Sequence, residues 1–329
     1  MLVAAAVCPH PPLLIPEAMG AAGADFGLEA RPAAYREAGS ASWPAAGQAR
    51  TALSRADPVV PGAPLPGSGA VPVAGPADPV DAQIRRLRAA CCAAVRELAA
   101  CDADLLAVVG GGDVTRVHPS SARGDLRAFG VPSPGGDAVL PLSLTIGTWL
   151  AGRCLPPGSP SRRVLTEIAW HTPTRDCLAL GASLAARGPR VALLVLGDGT
   201  SRRALGVPGA ADPEAQRFDE AAAAAFATAD AAALGGLDPV RAREVGAVGR
   251  AAWQVLAGAA GAAPGEGRAS GDGGATGDGG ATVAVPGDGG EAGMPGGAAT
   301  GKPRAALRGR VRYAAAPLDV GYLVASWTT

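Results

Sequence analysis

The segment PRVALLVLGDGTSRR (residues 189–203) contains a continuous apolar run, Val191–Leu196, followed by a loop that carries Gly197 and Gly199. An earlier segment, ADLLAVVGGGD (residues 103–113), has the same plan. Its apolar run leads into Gly110, Gly111 and Gly112, where we expect the chain to turn sharply. An apolar run of this length predicts a strand that is buried on both faces, as in a parallel sheet.

The first residues, LVAAAVCPHPPLLIPE (2–17), begin with a third run of this kind. We expect a buried strand over residues 2–7, ended by Pro9, Pro11 and Pro12. His10 lies among these prolines. It is a candidate ligand at the end of a strand, or a polar residue in a tight turn.

The segments between these runs have helical patterns. Residues 81–100 place apolar side chains at helical spacing, residues 140–154 are typical of a buried helix, and residues 175–188 predict a helix that ends at a glycine. Strands alternating with helices predict a single α/β domain with a mostly parallel central sheet flanked by helices. Ligands of such sheets bind beyond the carboxyl ends of the strands, where we expect His10, Gly110 to Asp113, and Gly197 to Ser201.

Two stretches rich in alanine, glycine and proline, at about residues 18–79 and 261–303, predict insertions within the one domain that spans 1–329. Residues 218–234 and 238–260 predict further helices, although Gly246 and Gly249 leave the continuity of the second uncertain. Residues 310–327 predict a closing strand pair.

Composition excludes several classes of protein. The 329 residues include 29 basic and 29 acidic residues, so nothing indicates a nucleic-acid partner. No apolar stretch approaches the ~20 residues that a membrane helix needs, and the N-terminal run lacks the basic start of a signal peptide, which predicts a cytoplasmic protein without a membrane partner. The six cysteines have no zinc-site spacing and are predicted to be reduced thiols.

Individual motifs allow competing interpretations. The glycines of VVGGGD could bind a phosphate, but a GxGxxG pattern and a Walker lysine are both missing, which favours a plain turn. Ser201 and Asp198 could belong to a hydrolase or transferase, but no GxSxG elbow surrounds the serine. His118 and His171 are predicted in solvated loops, and Trp149, Trp170 and Trp253 in the core.

Several segments, in this order, resemble one family. They are CPHPPLLIPE, DLLAVVGGGD, VALLVLGDGTS, FDEAAAAAF, GRAAWQVLAGAA and APLDVGYLVASW. Together they are similar to class III extradiol ring-cleavage dioxygenases of the LigB-like type, and the resemblance covers most of the chain outside the two insertions. It implies a LigB-like α/β fold, and an activity that opens catecholic rings with O₂ at Fe(II) held by two histidines and one glutamate.

The resemblance assigns positions to this chain. His10 matches the first iron-binding histidine, whereas Gly110 to Gly112 lie where the second histidine is expected. Ser201, near Asp198, stands at the place of the proton-handling histidine. The carboxylate ligand is expected near Ala247, with Glu244 the nearest substitute.

Most metal-site positions therefore depart from the family pattern, and three hypotheses remain. In the first, the chain is an Fe(II) dioxygenase. In the second, it is a non-catalytic relative that needs no cofactor and uses the former pocket to bind a small aromatic molecule or a protein partner. In the third, it is a hydrolase or transferase that uses Ser201. The sequence leaves open whether the protein is an enzyme and whether it assembles with further copies of itself.

Overall fold

The computed structural model describes residues 1–19, 79–133, 139–157, 160, 162–203, 212–263 and 306–329. The predicted insertions at about 18–79 and 261–303 lie outside these residues, except at their ends. Met1–Pro264 and Leu307–Thr329 belong to one compact unit. The described chain is therefore a single α/β domain.

Seven strands form one sheet in the order β3-β4-β2-β5-β1-β7-β6. Their bounds are β1 Leu2–Cys8, β2 Leu105–Gly112, β3 Arg116–His118, β4 Arg162–Ala169, β5 Val191–Leu196, β6 Arg308–Ala315 and β7 Tyr322–Thr328. The helices are α1 Val80–Ala99, α2 Leu142–Cys154, α3 Thr174–Ala185, α4 Pro213–Thr228, α5 Ala231–Gly235, α6 Pro239–Glu244 and α7 Arg250–Ala259.

The prediction of a mostly parallel sheet is wrong, because the sheet is mixed. The four central strands β4, β2, β5 and β1 are parallel, while β3, β7 and β6 pair in antiparallel directions. Short connections explain the difference. The segments that join β2 to β3 and β6 to β7 are too short for a parallel crossover, which needs a dozen or more residues.

A separate apolar core covers each face of the sheet. One core packs α3, α4 and α7 against alternate residues of the central strands, such as Val109 and Val195. The other packs α1 and α2 against the intervening residues, such as Val108 and Leu194. Burial on both faces explains why the central strands are apolar throughout rather than alternating.

The predicted helix over residues 238–260 is two helices, α6 and α7, separated at Gly246, whose φ of +69° is in the left-handed region. Glycine adopts this conformation without steric cost. The predicted helix over residues 218–234 is likewise divided, between α4 and α5. The predicted strand pair at the C-terminal end is confirmed as β6 and β7.

The prediction that all six cysteines are free thiols is wrong for two of them. Cys92 of α1 and Cys154 of α2 form a disulfide, with their Cα atoms 5.4 Å apart. Cys8, Cys91, Cys101 and Cys177 are free. The sequence contains no sign of this pair, because the two residues are 62 positions apart and meet only when the helices pack on the same face.

Candidate functional site

The register of two parallel strands brings His10 and Asp198 together. Cys8 of β1 pairs with Leu196 of β5, and both strands end at these residues. His10 and Asp198 follow two residues later on each chain segment. The backbone N–H of His10 donates to Asp198 Oδ1 over 2.7 Å, so the sequence prediction that both lie at the carboxyl edge of the sheet is confirmed.

The side chains of this pair also face each other. His10 Nδ1 lies 3.4 Å from Asp198 Oδ1, and the two residues are only 5% and 3% exposed. Nδ1 is buried and forms no hydrogen bond in the described part of the chain. The Asp198 carboxylate therefore approaches Nδ1 without a hydrogen bond to it, while the same carboxylate oxygen holds the backbone of His10.

Trp170 forms the neighbouring wall of the site. Its ring and the His10 ring are nearly parallel, 17° apart, with centroids separated by 5.9 Å. The indole lies over Gly111, and a Cβ atom added at Gly111 would overlap the six-membered ring. Trp170 is partly buried rather than a core residue, so its predicted place in the core is correct only in part.

Arg250 holds the segment that carries Trp170. Its guanidinium donates to the carbonyl of Trp170 over 2.8 Å and to the carbonyl of Thr172 over 2.6 Å. Arg250 is buried, and desolvation lowers its pKa from the ordinary value. Because its acceptors are neutral oxygens and the sulfur of Cys177, the cation holds backbone in place rather than pairing with an acid.

Gly110, Gly111 and Gly112 are strand residues, which corrects the prediction of a sharp turn. All three pair with β4. Cβ atoms at these positions would overlap side chains that already fill the space, those of Ser143, Trp170 and Glu167 respectively. The glycines therefore admit neighbouring side chains to the end of β2, and the chain turns only after Gly112.

His118 is buried, so its predicted place in a solvated loop is wrong. Its Nε2 lies 2.8 Å from Glu167 Oε2. Glu167 also accepts hydrogen bonds from Arg116 Nε and from the backbone N–H groups of Asp113 and Val114. The carboxylate is thus fully partnered, and the cluster joins β3 to β4. His171 is exposed, as predicted.

Ser201 lies in the same loop as Asp198 but has other contacts. Its N–H donates to the carbonyl of Val245 over 3.2 Å, and its Oγ occupies the space beside Gly246. Asp219 holds this loop by accepting two hydrogen bonds from Thr200. Among the described residues no hydrogen bond joins Ser201 to His10 or Asp198, so the predicted role of Ser201 stays a prediction.

Glu244 lies at the end of α6 and is exposed. It pairs with Arg241 across 2.9 Å. Within the described residues, no three side chains of His, Cys, Asp or Glu are grouped so that they could hold a metal ion. The family that the sequence resembles holds Fe(II) by three protein ligands, whereas the described site brings together His10 and Asp198. The residues present do not fit the expected ferrous centre, and iron binding by His10 with Glu244 stays a prediction.

Comparison of the chain with protein-family models and with curated proteins found no match. In the described ranges, no helix combines the length and the apolar character that crossing a membrane requires. The LigB-like assignment therefore depends on the sequence resemblance alone.

Sequence reasoning missed two residues of the site, Trp170 and Arg250. Trp170 directly follows the apolar end of β4, at the same sheet edge as His10. A residue in this position is a candidate for the site, because ligands bind at that edge. Arg250 is the first residue of α7, a buried helix whose other residues are apolar except Gln254. An arginine on a buried helix face needs partners, so it could have been identified as an anchor.

Proposed function

We propose that the protein is a LigB-like relative of the class III extradiol dioxygenases that binds a small aromatic molecule without a three-ligand ferrous centre. The observation that carries this proposal is the arrangement of Asp198, His10 and Trp170 at the carboxyl edge of the sheet. It combines a buried imidazole with an aromatic face, and both suit a phenolic ligand.

Each residue has a distinct role in this proposal. Asp198 lies beside the imidazole on its Nδ1 side and holds the backbone N–H of His10 by a hydrogen bond. Nε2 of His10 then exchanges a hydrogen bond with a ligand hydroxyl, and the indole of Trp170 supplies apolar contact to the ligand ring. Asp219 and Arg250 keep the Asp198 loop and the Trp170 segment in place.

The side chains packed around Gly110 to Gly112 support a site without a catalytic iron. The family resemblance expects the second histidine near Gly110 to Gly112. There, the side chains of Ser143, Trp170 and Glu167 occupy the volume into which a side chain from β2 would project. A histidine at Gly111 would need the indole to leave its position beside His10.

The test uses catechol as the probe, with no metal added and with a chelator present. Calorimetric titration of the full chain should detect binding. His10→Gln should weaken it by a factor between about 2 and about 12, since a lost hydrogen bond costs about 0.5–1.5 kcal/mol. His171→Gln, at an exposed histidine, is the matched control and should bind within about twofold of the native protein.

Two results would contradict the proposal. One is catechol binding that is equally strong in the native protein and in His10→Gln. The other is retention of about one iron per chain after anaerobic loading with Fe(II), together with catechol-dependent O₂ consumption that His10→Gln abolishes. The second result would establish the dioxygenase activity that the family resemblance implies.

A further inference from the structure

The disulfide between Cys92 and Cys154 joins the two helices that cover one face of the sheet. Cys92 lies in the middle of α1, and Cys154 is the last residue of α2. Each helix also contacts a different wall of the site around His10. The position of the disulfide is therefore relevant to the site, although its sulfur atoms lie outside it.

α1 holds the His10 side. Arg88 donates from Nε and from its terminal nitrogen to the carbonyl of Leu13, over 3.0 and 2.6 Å. Leu13 follows His10 by three residues. One turn further along α1, the carbonyl of Cys91 lies 4.0 Å from Cys8 Sγ, two residues before His10. The segment that carries His10 is thus in contact with α1 on both sides of the histidine.

α2 holds the opposite side. Ser143 Oγ donates to the carbonyl of Gly111 over 2.6 Å, and Gly111 is the strand residue beneath the Trp170 indole. The hydrogen bond fixes the end of β2, on which Trp170 packs. A covalent bond between α1 and α2 therefore connects the support of His10 with the support of Trp170.

We propose that Cys92–Cys154 is a reversible redox link that fixes the spacing of His10 and Trp170. Reduction by a dithiol breaks the S–S bond, transfers two electrons and two protons to Cys92 and Cys154, and converts the reductant to its own disulfide. The reverse reaction uses a low-molecular-weight disulfide as oxidant. The proposal goes beyond the proposed function, because it does not depend on what the site binds.

The surroundings give a reductant access to the bond at Cys92 and keep the adjacent Cys91 from attacking it. Cys92 is partly exposed, whereas the neighbouring Cys91 and its contact Cys8 are buried. Burial raises the pKa of the Cys91 thiol well above its ordinary value, so this residue stays protonated. Only thiolates attack disulfides, and Cys91 therefore does not compete for the bond.

The first measurement counts free thiols by mass spectrometry. The full chain is incubated with oxidised glutathione, denatured, and alkylated with N-ethylmaleimide. Four of the six cysteines should be labelled before dithiothreitol treatment and all six after it. Peptide mapping should place the protected pair at Cys92 and Cys154. Labelling of all six without reductant, or protection of another pair, would overturn the proposal.

The second measurement reads the site without any ligand. The chain has three histidines, so their ring Cε1–H signals can be resolved by NMR, and His10→Gln assigns the signal of His10. Reduction should shift or broaden the His10 signal and leave that of exposed His171 in place. Cys92→Ser should give the reduced position under both conditions, whereas Cys101→Ser, the control on a free thiol, should respond like the native protein.

A His10 signal that stays unchanged on reduction would also overturn the proposal, since the disulfide would then be a link without influence on the site. This outcome is separable from failure of the proposed function. Catechol binding is measured in a different experiment, and neither the thiol count nor the histidine spectrum requires a ligand.

Discussion

Gly111 and Trp170 are mutually dependent at the scale of single residues. The indole occupies the space that any side chain at residue 111 would need. We predict that Gly111→Ala lowers the free energy of unfolding by about 1–3 kcal/mol, as expected for overpacking. In a Trp170→Ala background the same substitution should cost close to nothing, because the obstacle is gone. Urea unfolding of the four proteins measures both costs.

Additive costs in this double-mutant cycle would show that the two residues do not compete for the same space. The cycle tests the site directly, because the position of the indole determines what His10 faces. It also tests why β2 ends in glycines.

Asp219 predicts a dependence of stability on pH. Burial raises the pKa of this carboxyl, and the hydrogen bonds from Thr200 and the nearby Arg203 only partly oppose the effect. The native state therefore binds the proton more tightly than the unfolded state, whose pKa is about 3.9. The stability contributed by this group is present at low pH and is lost as the pH rises through the raised pKa.

The measurement is the difference in the free energy of unfolding between the native protein and Asp219→Asn, followed from about pH 2 to pH 7. This difference should fall as the pH rises above about 4. Asp125→Asn gives a comparison of opposite sign, because the Arg127 guanidinium lowers the pKa of Asp125 to about 2. Its contribution should diminish as the pH falls towards 2. Parallel curves for the two variants would contradict the assignment.

At the scale of elements, α3 and α7 pack closely through two glycines. A Cβ atom at Gly181 would overlap the carbonyl oxygen of Val255, and one at Gly258 would overlap the carbonyl oxygen of Leu178. Each helix thus places backbone where the other lacks a side chain. The close packing positions the start of α7, from which Arg250 holds the Trp170 segment.

We predict that Gly181→Ala costs about 1–3 kcal/mol of stability, since backbone atoms cannot rotate away as a side chain can. Gly152→Ala is the matched control. Gly152 is also a helical glycine, but no atom lies within 4 Å of its added Cβ. There, alanine should stabilise the helix by up to about 1 kcal/mol. Chemical denaturation compares the two variants, and equal effects would contradict the proposed close contact.

At the scale of the whole molecule, a glycine-rich stretch precedes β6, and the core residues that the structure describes end at Ala262 before it and resume at Leu307 after it. That stretch, within residues 261–303, is poor in large apolar side chains and lies almost wholly beyond the described residues. We predict that replacing residues 266–303 by a short Gly-Ser linker changes the free energy of unfolding by less than about 1 kcal/mol. Loop length alone has only a small entropic effect.

Differential scanning calorimetry of the shortened and full chains tests this expectation. A shortened chain that melts several degrees lower would mean that the stretch contributes apolar or polar contacts that its composition does not suggest. A shortened chain with unchanged melting but altered binding of catechol would assign the stretch to function instead.

The sequence by itself determined three of the four central strands, whereas β4 was not predicted. Apolar runs at residues 2–7, 105–109 and 191–196 predicted buried strands, and all three runs lie in strands of the parallel centre of the sheet, β1, β2 and β5. The same pattern placed His10 and Asp198 at one edge, because parallel strands that are neighbours end on the same side. Local apolar periodicity carries this information, so it is readable without the tertiary structure.

Only the tertiary structure decided which side chains meet. The pairing of β7 with β1, the contact of His118 with Glu167, the Cys92–Cys154 bond and the indole over Gly111 each join residues that are far apart in the chain. A glycine run predicts a turn when only local conformation is considered. Here the glycine run leaves room for side chains of α2, of β4 and of the segment after β4. These elements are far from β2 along the chain, so sequence periodicity does not predict that their side chains pack against the glycines.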